Sequence, residues 1–316
     1  MGIFKSLFGT KETQTEEAEE RENKRKFDIL KYDGIKALKI GKSGYAVRCF
    51  KEALSLQEEF ETLNYLAMTY VQQNETDEAI QIYSRLSELD PTHTDTLLNR
   101  AQLYFQKNEP TATITDCEKI LSLNPNDYRA YLLMAQAKKA LQQQEQAIQA
   151  LTEAARLKED VPEVFLLRSS LWSELKQYDH ALNDINTAIS LSPEEENAFL
   201  QRAAIQEATG NIEAALQDYA VVTELNPFHE QAYLETGRIL IENQRYEEVV
   251  RYFDEAIETK PDFSSAYIVR GKAKELLGDK EAALEDIKTG IELSAETDET
   301  TGRPVNFDDM YKNRPL

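Results

Sequence analysis

A chain of 316 residues whose prolines return on a beat of 34 has few ways to fold. Pro91 and Pro125 are 34 residues apart, and so are Pro193, Pro227 and Pro261 in succession. A fixed period of this length indicates stacked copies of one supersecondary unit, each needing its neighbour to bury an apolar face. Setting the phase on the prolines gives eight repeats, 27–59, 60–93, 94–127, 128–161, 162–195, 196–229, 230–263 and 264–297. Residues 1–26 precede them and residues 298–316 follow.

Small residues mark where two chain segments must approach. The eighth places are Gly34, Ala67, Ala101, Ala135, Ser169, Ala203, Gly237 and Gly271. The places twelve residues on are Ala46, Ala79, Thr113, Ala147, Ala181, Ala215, Val249 and Ala283. Four residues later come Phe50, Tyr83, Cys117, Leu151, Ile185, Tyr219, Phe253 and Ile287, mostly large side chains sized to fill the space so defined. Apolar residues at i, i+3, i+4 and i+7 within each half predict two helices per repeat. Proline at the boundary ends one helix and is tolerated at the opening of the next.

The segments AYLLMAQAKKALQQQEQAIQALTEAARL and AFLQRAAIQEATGNIEAALQDYAVVTELNP carry a more specific pattern, with Tyr131 and Phe199 in the place of a tryptophan. Over about 270 of the 316 residues the chain resembles the tetratricopeptide repeat (TPR) family, whose pattern is W-x2-L-G-x2-Y, then A-x3-F, then P. Departures are local. The first repeat has Ile29 and Leu30 near the tryptophan place and Glu58 where the proline belongs, and the third has Thr113 for alanine. The resemblance implies an all-α, right-handed superhelical solenoid of helix-turn-helix repeats.

It also implies a concave groove lined by the first helix of each repeat, with partner contacts at its second, fifth, sixth, ninth, twelfth and thirteenth places. On this chain the fifth places give Leu98, Leu132, Leu166, Leu200, Leu234 and Ile268. Asn64, Asn99, Gln102, Gln106 and Gln136 cluster beside that row in the N-terminal half. Amides can bond both the N–H and the C=O of an extended peptide without demanding a charge. The C-terminal half turns acidic through Glu163, Glu174, Glu207, Glu235, Glu242 and Glu275, with Arg129, Lys139, Arg238 and Lys272 interrupting. The bland alternative is that the leucines pack on adjacent repeats and the polar residues are solvated. The carboxylate clamp of chaperone-binding relatives needs two lysines, two asparagines and an arginine. Starting from the second repeat only Asn99 and Arg129 fit, so that mode is rejected.

Comparing repeats exposes one coupled pair. Arg100, Arg168, Arg202 and Arg270 hold the seventh place of four repeats, and Asp116, Asp184, Asp218 and Asp286 lie sixteen residues later in those same four. The other four repeats have neither residue. Joint presence and absence predicts structural ion pairs, between the helices of a hairpin or across a repeat junction, in preference to free anion receptors.

Composition excludes several function classes. The 36 Lys and Arg against 57 Asp and Glu leave a net charge of −21, which opposes binding to phosphate backbones, so no nucleic-acid partner is expected. The acidity reads first as solubility, and second as a match to a basic partner. The two cysteines, Cys49 and Cys117, fall at core places too far apart to bridge, which fits a reducing, cytoplasmic compartment. No apolar run reaches the length of a membrane span. His93, His180 and His229 lack metal-ligand spacing, and neither a phosphate-binding glycine loop nor a nucleophile elbow occurs. Roughly 45 residues lie outside the repeats, too few for a catalytic domain. Neither catalytic residues, a metal nor a cofactor is therefore expected.

The ends carry two further expectations. Residues 1–10 are apolar and basic, Gly2 with Ser6 fits a myristoylation pattern, and a charged, solvated stalk runs on to Lys26. Residues 298–316 show no helical pattern but contain Val305, Phe307, Met310 and Tyr311, which suit a cap over Leu284, Ile287 and Ile291 of the last repeat. The sequence thus predicts a non-catalytic scaffold or adaptor that holds a partner's peptide or helix in its concave groove. The alternative is a membrane-proximal assembly or targeting factor, peripheral at the bilayer through residues 1–10 alone. Oligomeric state is not legible.

Overall fold

The computed structural model describes residues 11–301, with side chains from 16 to 295. Among the described residues there are sixteen helices and no strands, and they form helical hairpins in two compact units divided between Asp160 and Val161. In the first unit the hairpins are α1 (Lys11–Lys39) with α2 (Ser43–Leu56), α3 (Phe60–Gln72) with α4 (Thr76–Leu89), α5 (Thr94–Gln106) with α6 (Pro110–Leu123), and α7 (Tyr128–Ala140) with α8 (Gln144–Leu157). In the second they are α9 (Pro162–Glu174) with α10 (Tyr178–Leu191), α11 (Glu196–Ala208) with α12 (Ile212–Leu225), α13 (Glu230–Glu242) with α14 (Tyr246–Thr259), and α15 (Ser264–Leu276) with α16 (Lys280–Thr301). The fold is an all-α solenoid of helix-turn-helix repeats.

The small residues sit where the paired helices cross. All eight residues of the eighth place are buried, as are all eight of the place twelve residues on. Where one of them carries a hydroxyl, the partner helix satisfies it: Ser169 Oγ donates to the Ala181 carbonyl at 2.9 Å. Steric demand is tightest at the glycines. A Cβ on Gly34 would stand 2.5 Å from the Phe50 ring, and one on Gly237 2.6 Å from the Phe253 ring. Glycine and phenylalanine are therefore matched across these two hairpins.

The turn between the paired helices has one conformation throughout. Its fifteenth-place residue is left-handed in every repeat: Gly41, Asn74, Asn108, Gln142, Lys176, Gly210, Gln244 and Gly278 all have positive φ. The next residue then turns its N–H back to a carbonyl five residues earlier, as in Glu75 to Tyr70 and Gln177 to Trp172. Glycine adopts this conformation freely and asparagine tolerates it, whereas glutamine and lysine carry a Cβ penalty. Replacing Lys176 (φ 59°) by glycine is expected to raise stability by about 1 kcal/mol, read as a higher midpoint in urea unfolding. An unchanged or lower midpoint would mean that lost lysine contacts outweigh the backbone relief.

The turns between hairpins use side chains as caps. Asp90, Asn124 and Asn226 end their helices ahead of a proline, and each accepts through Oδ1 the N–H two residues on. His93 and His229 cap the following helices through Nδ1, accepting from Thr96 and Ala232. Two of the three histidines thus serve helix ends.

The chain ends differ from the sequence reading. The charged stretch expected to be a solvated stalk is helical from Lys11 and continuous with the first repeat, stapled by i,i+4 pairs such as Lys26 with Glu22 at 2.9 Å. At the other end α16 runs to Thr301, past the expected break at 298. Leu284 and Ile291 are exposed on α16, while Ile287 is half-buried beside Gly271. Gly2, the apolar tip and the cap residues Val305, Phe307, Met310 and Tyr311 lie outside the described residues.

Candidate partner-binding groove

Leu98 and Leu132 in the first unit, and Leu166, Leu200, Leu234 and Ile268 in the second, are all half-buried. The fifth place of a first helix lies at the margin of the apolar face, so one side of each side chain packs inward. Leu98 packs on the cluster of Leu97, Ala101, Cys117 and Ile120. Leu166 leans on Ala181, Ile185 and Ala198, Leu200 on Phe199, Ala203 and Tyr219, and Ile268 against Gly290 of α16. All six are thus neither fully buried nor fully exposed.

The amides of the first unit are partly committed. Asn99 and Gln102 are exposed, Asn64 and Gln136 half-buried. Asn64 makes only a long contact of 3.9 Å to the Met68 sulfur. Gln102 is exposed on α5, one helical turn from Leu98.

In the second unit a recess of about 310 Å³ is lined by Leu200, Ala204, Glu207, Tyr219, Gln231, Glu235 and Arg238. Its guanidinium is not available as an anion receptor, because Arg238 binds Glu235 at 2.7 Å, Glu242 at 2.8 Å and Glu207 from the neighbouring hairpin. Burial works against the charge on Arg238, and the bonds to Glu207 and Glu235 outweigh it, so the pKa rises. Burial, followed by the charge on Glu207, pushes the Tyr219 hydroxyl up, and it donates to Glu207 at 2.8 Å. The recess is therefore a preorganised network with an apolar floor and an excess of carboxylates.

The seventh-place arginines are committed to ion pairs. Arg100, Arg168, Arg202 and Arg270 each make a two-pronged bond, Nε and Nη2 to the two oxygens of Asp116, Asp184, Asp218 and Asp286, at 2.6–2.9 Å. The four aspartates are buried. The third prong reaches the preceding hairpin, from Arg100 to Ser84 at 3.1 Å, from Arg202 to Asn186 at 2.7 Å and from Arg270 to Asp254 at 2.6 Å. One guanidinium thus ties three helices. Sequence comparison missed the third partner because serine, asparagine and aspartate at that place share no residue type. Burial raises the Asp286 pKa, but hydrogen bonds from Arg270 and Lys274 more than reverse it, so the carboxyl titrates below its ordinary range.

Family comparison agrees with this geometry. Two tetratricopeptide repeat models match residues 200–262 and 264–297, and a model described as anaphase-promoting complex, cyclosome, subunit 3 matches residues 72–154. The chain is a tetratricopeptide repeat protein. Among solved TPR structures, a tetratricopeptide repeat protein from Parabacteroides merdae is 20% identical with a TM-score of 0.59, covering 84% of this chain and 99% of that one. PilF of Pseudomonas aeruginosa is 16% identical with a TM-score of 0.55, over 70% of this chain and 99% of that one. MamA of Desulfovibrio magneticus is 17% identical with a TM-score of 0.51, over 54% of this chain and 97% of that one. At such identities the likeness is one of fold. No curated protein matches the sequence. As a TPR protein the chain is of a type that serves as a protein-interaction scaffold.

Proposed function

We propose that this TPR protein is a non-catalytic adaptor that holds an extended peptide or a helix of a protein partner along the first helices of its repeats. The observation that supports it is the row of half-buried fifth-place side chains, Leu98 and Leu132 in one unit and Leu166, Leu200, Leu234 and Ile268 in the other. Leu98, Leu166, Leu200 and Ile268 are held from inside by neighbouring side chains or backbone, and all six are half-buried, which suits anchor residues of a ligand spaced at repeat intervals. Gln102, and the Asn64 and Gln136 amides at the margin, supply direction to the ligand backbone without charge. The carboxylate excess around Leu200 selects a ligand that is neutral or basic there.

Photocrosslinking tests the reading. A photoreactive residue at Leu98 or Leu200 is expected to trap a partner from native cells, and one at the exposed Thr115 on α6 is not. The partner should be lost from Leu166→Asp/Leu200→Asp/Leu234→Asp, a variant first shown to keep wild-type helicity and melting. Adducts formed equally from Thr115, or a partner retained by the triple variant, would move the binding site off this face.

A further inference from the structure

Charge is distributed very unevenly along this acidic chain. Residues 21–51 hold ten of its 36 Lys and Arg but only three of its 57 Asp and Glu. This stretch is the C-terminal two-thirds of α1 with most of α2, whereas Glu12, Glu16, Glu17, Glu19 and Glu20 lie on the preceding turns of α1. Lys36, Lys39 and Lys42 are exposed and form no ion pair with any described residue, and Arg48 is exposed with its guanidinium lying over the Tyr45 ring at 5.6 Å. Two recesses open on the hairpin. One of about 500 Å³ is lined by Asp33, Lys36, Ala37, Ile40, Lys42, Tyr45 and Arg48. The other, of about 450 Å³, is lined by Lys26, Ile29, Leu30, Glu52, Ser55 and Leu56.

The same face carries large apolar side chains in the open: Ile29 is 50% exposed, Tyr32 66% and Ile40 61%. Ile29, Lys36 and Ile40 fall at i, i+7 and i+11 of α1, so they share one stripe. The contrast with the other repeats is informative. Their third places, Thr62, Thr96, Ala130, Val164, Ala198, Ala232 and Ala266, are buried, and so are their tenth places, Thr69, Leu103, Ala137, Leu171, Ile205, Ile239 and Ala273. In the first repeat these two places are Ile29 and Lys36. An apolar helix stacked here would bury the Lys36 ammonium without a partner, which is costly. The occupant must therefore accept cations and apolar side chains together.

We infer that the outer face of the first hairpin is a docking surface for an anionic lipid bilayer. Lysines and arginines interleaved with isoleucine, leucine and tyrosine match the headgroup–acyl boundary, where ammonium groups meet lipid phosphates and aliphatic side chains enter the hydrocarbon margin. The acidity of the other repeats does not cancel this attraction, because at physiological salt charges act over about 8 Å. Residues 1–10, which precede α1 directly in the sequence, add Ile3, Phe4, Leu7 and Phe8 to the composition of this end of the chain. Stable bilayer attachment needs two weak signals acting together. The inference stands apart from the groove reading, since none of its residues lies among the fifth-place anchors.

Co-sedimentation with vesicles tests it on the full chain. Phosphatidylcholine vesicles with and without phosphatidylserine are compared with Lys36→Glu/Lys39→Glu/Lys42→Glu and with a form lacking residues 1–10. Wild type is expected to bind only the anionic vesicles, and added salt should release it. The triple variant should bind at least about 10-fold more weakly, each cation near such a surface being worth about fivefold. Loss of residues 1–10 should leave a salt-sensitive remainder. If reversing charge at the end of α1 unfolds the hairpin, the Lys→Gln triple variant replaces it. The inference is overturned if wild type does not distinguish the two vesicles, if the folded triple variant binds undiminished, or if soluble polyglutamate is bound while anionic vesicles are not.

Discussion

Asp218→Ala destabilises the protein by about 2–4 kcal/mol, several times the cost of removing an exposed carboxylate. The Asp218 carboxylate is buried and takes both forward prongs of Arg202, whose third prong is fixed on Asn186. Deleting the carboxylate leaves a half-buried guanidinium with most of its hydrogen bonds unmade. The second repeat supplies the control, because it carries Leu66 and Ile82 in the equivalent places and needs no ion pair. Arg202→Leu/Asp218→Ile is therefore expected to recover most of the loss, since an apolar pair of similar volume can replace a buried ion pair at little cost. Urea midpoints of the wild type and of single and double variants measure the coupling. If the double variant is as unstable as Asp218→Ala, the arginine contributes more through its tie to Asn186 than through the pair.

The second large effect is steric. Gly237→Ala is expected to cost about 1–3 kcal/mol although it adds one methyl group to a helix. The new Cβ would sit 2.6 Å from Phe253 Cε2 and 2.9 Å from Val269 Cγ1, distances that require the ring or the helices to move. Helix propensity alone predicts the opposite sign, since alanine is favoured over glycine by about 1 kcal/mol. The fourth repeat pairs Ala135 with Leu151 in the equivalent places. Phe253→Leu in the Gly237→Ala background should thus restore part of the loss, whereas Phe253→Leu alone should be destabilising. Thermal melts of the four proteins decide it, and a Gly237→Ala protein more stable than wild type would show that the ring yields freely.

Much of the fold was legible because its determinants repeat. One proline or one alanine says little, but eight small residues at one place and eight at another identify the crossing of two helices. The Arg–Asp pairs were legible for the same reason, as Arg100 and Asp116 recur as Arg168 and Asp184. Features met by mixed chemistry were not. The left-handed turn is hidden by Gln142, Lys176 and Gln244, residues that do not advertise positive φ. The third arginine partner is hidden because Ser84, Asn186 and Asp254 have only a polar oxygen in common. The extension of α1 was missed since a run of charges has no apolar stripe to betray a helix, although Arg21 with Glu17 and Lys26 with Glu22 stand one turn apart. The candidate groove was legible only as places. Side chains such as Gln102 that face solvent are not constrained by packing, so their identity carries little information about what they hold.

The matching of glycine to phenylalanine bears on how such a gene can change. Helices of different repeats share length and backbone course, yet the Phe253 ring fills the space that a methyl on residue 237 would take. A crossover inside a hairpin's own turn, at Asn243–Gln244 for instance, does not respect that match. If it joined α11 to α14, it would set Phe253 against the methyl of Ala203. Recombination that gains or loses whole hairpins, with its endpoints in segments such as Asn226–Pro227 or Lys260–Pro261, carries each lock away with its own key. Heritable variation in repeat number is thereby steered to endpoints between hairpins, and the two helices of one hairpin travel together.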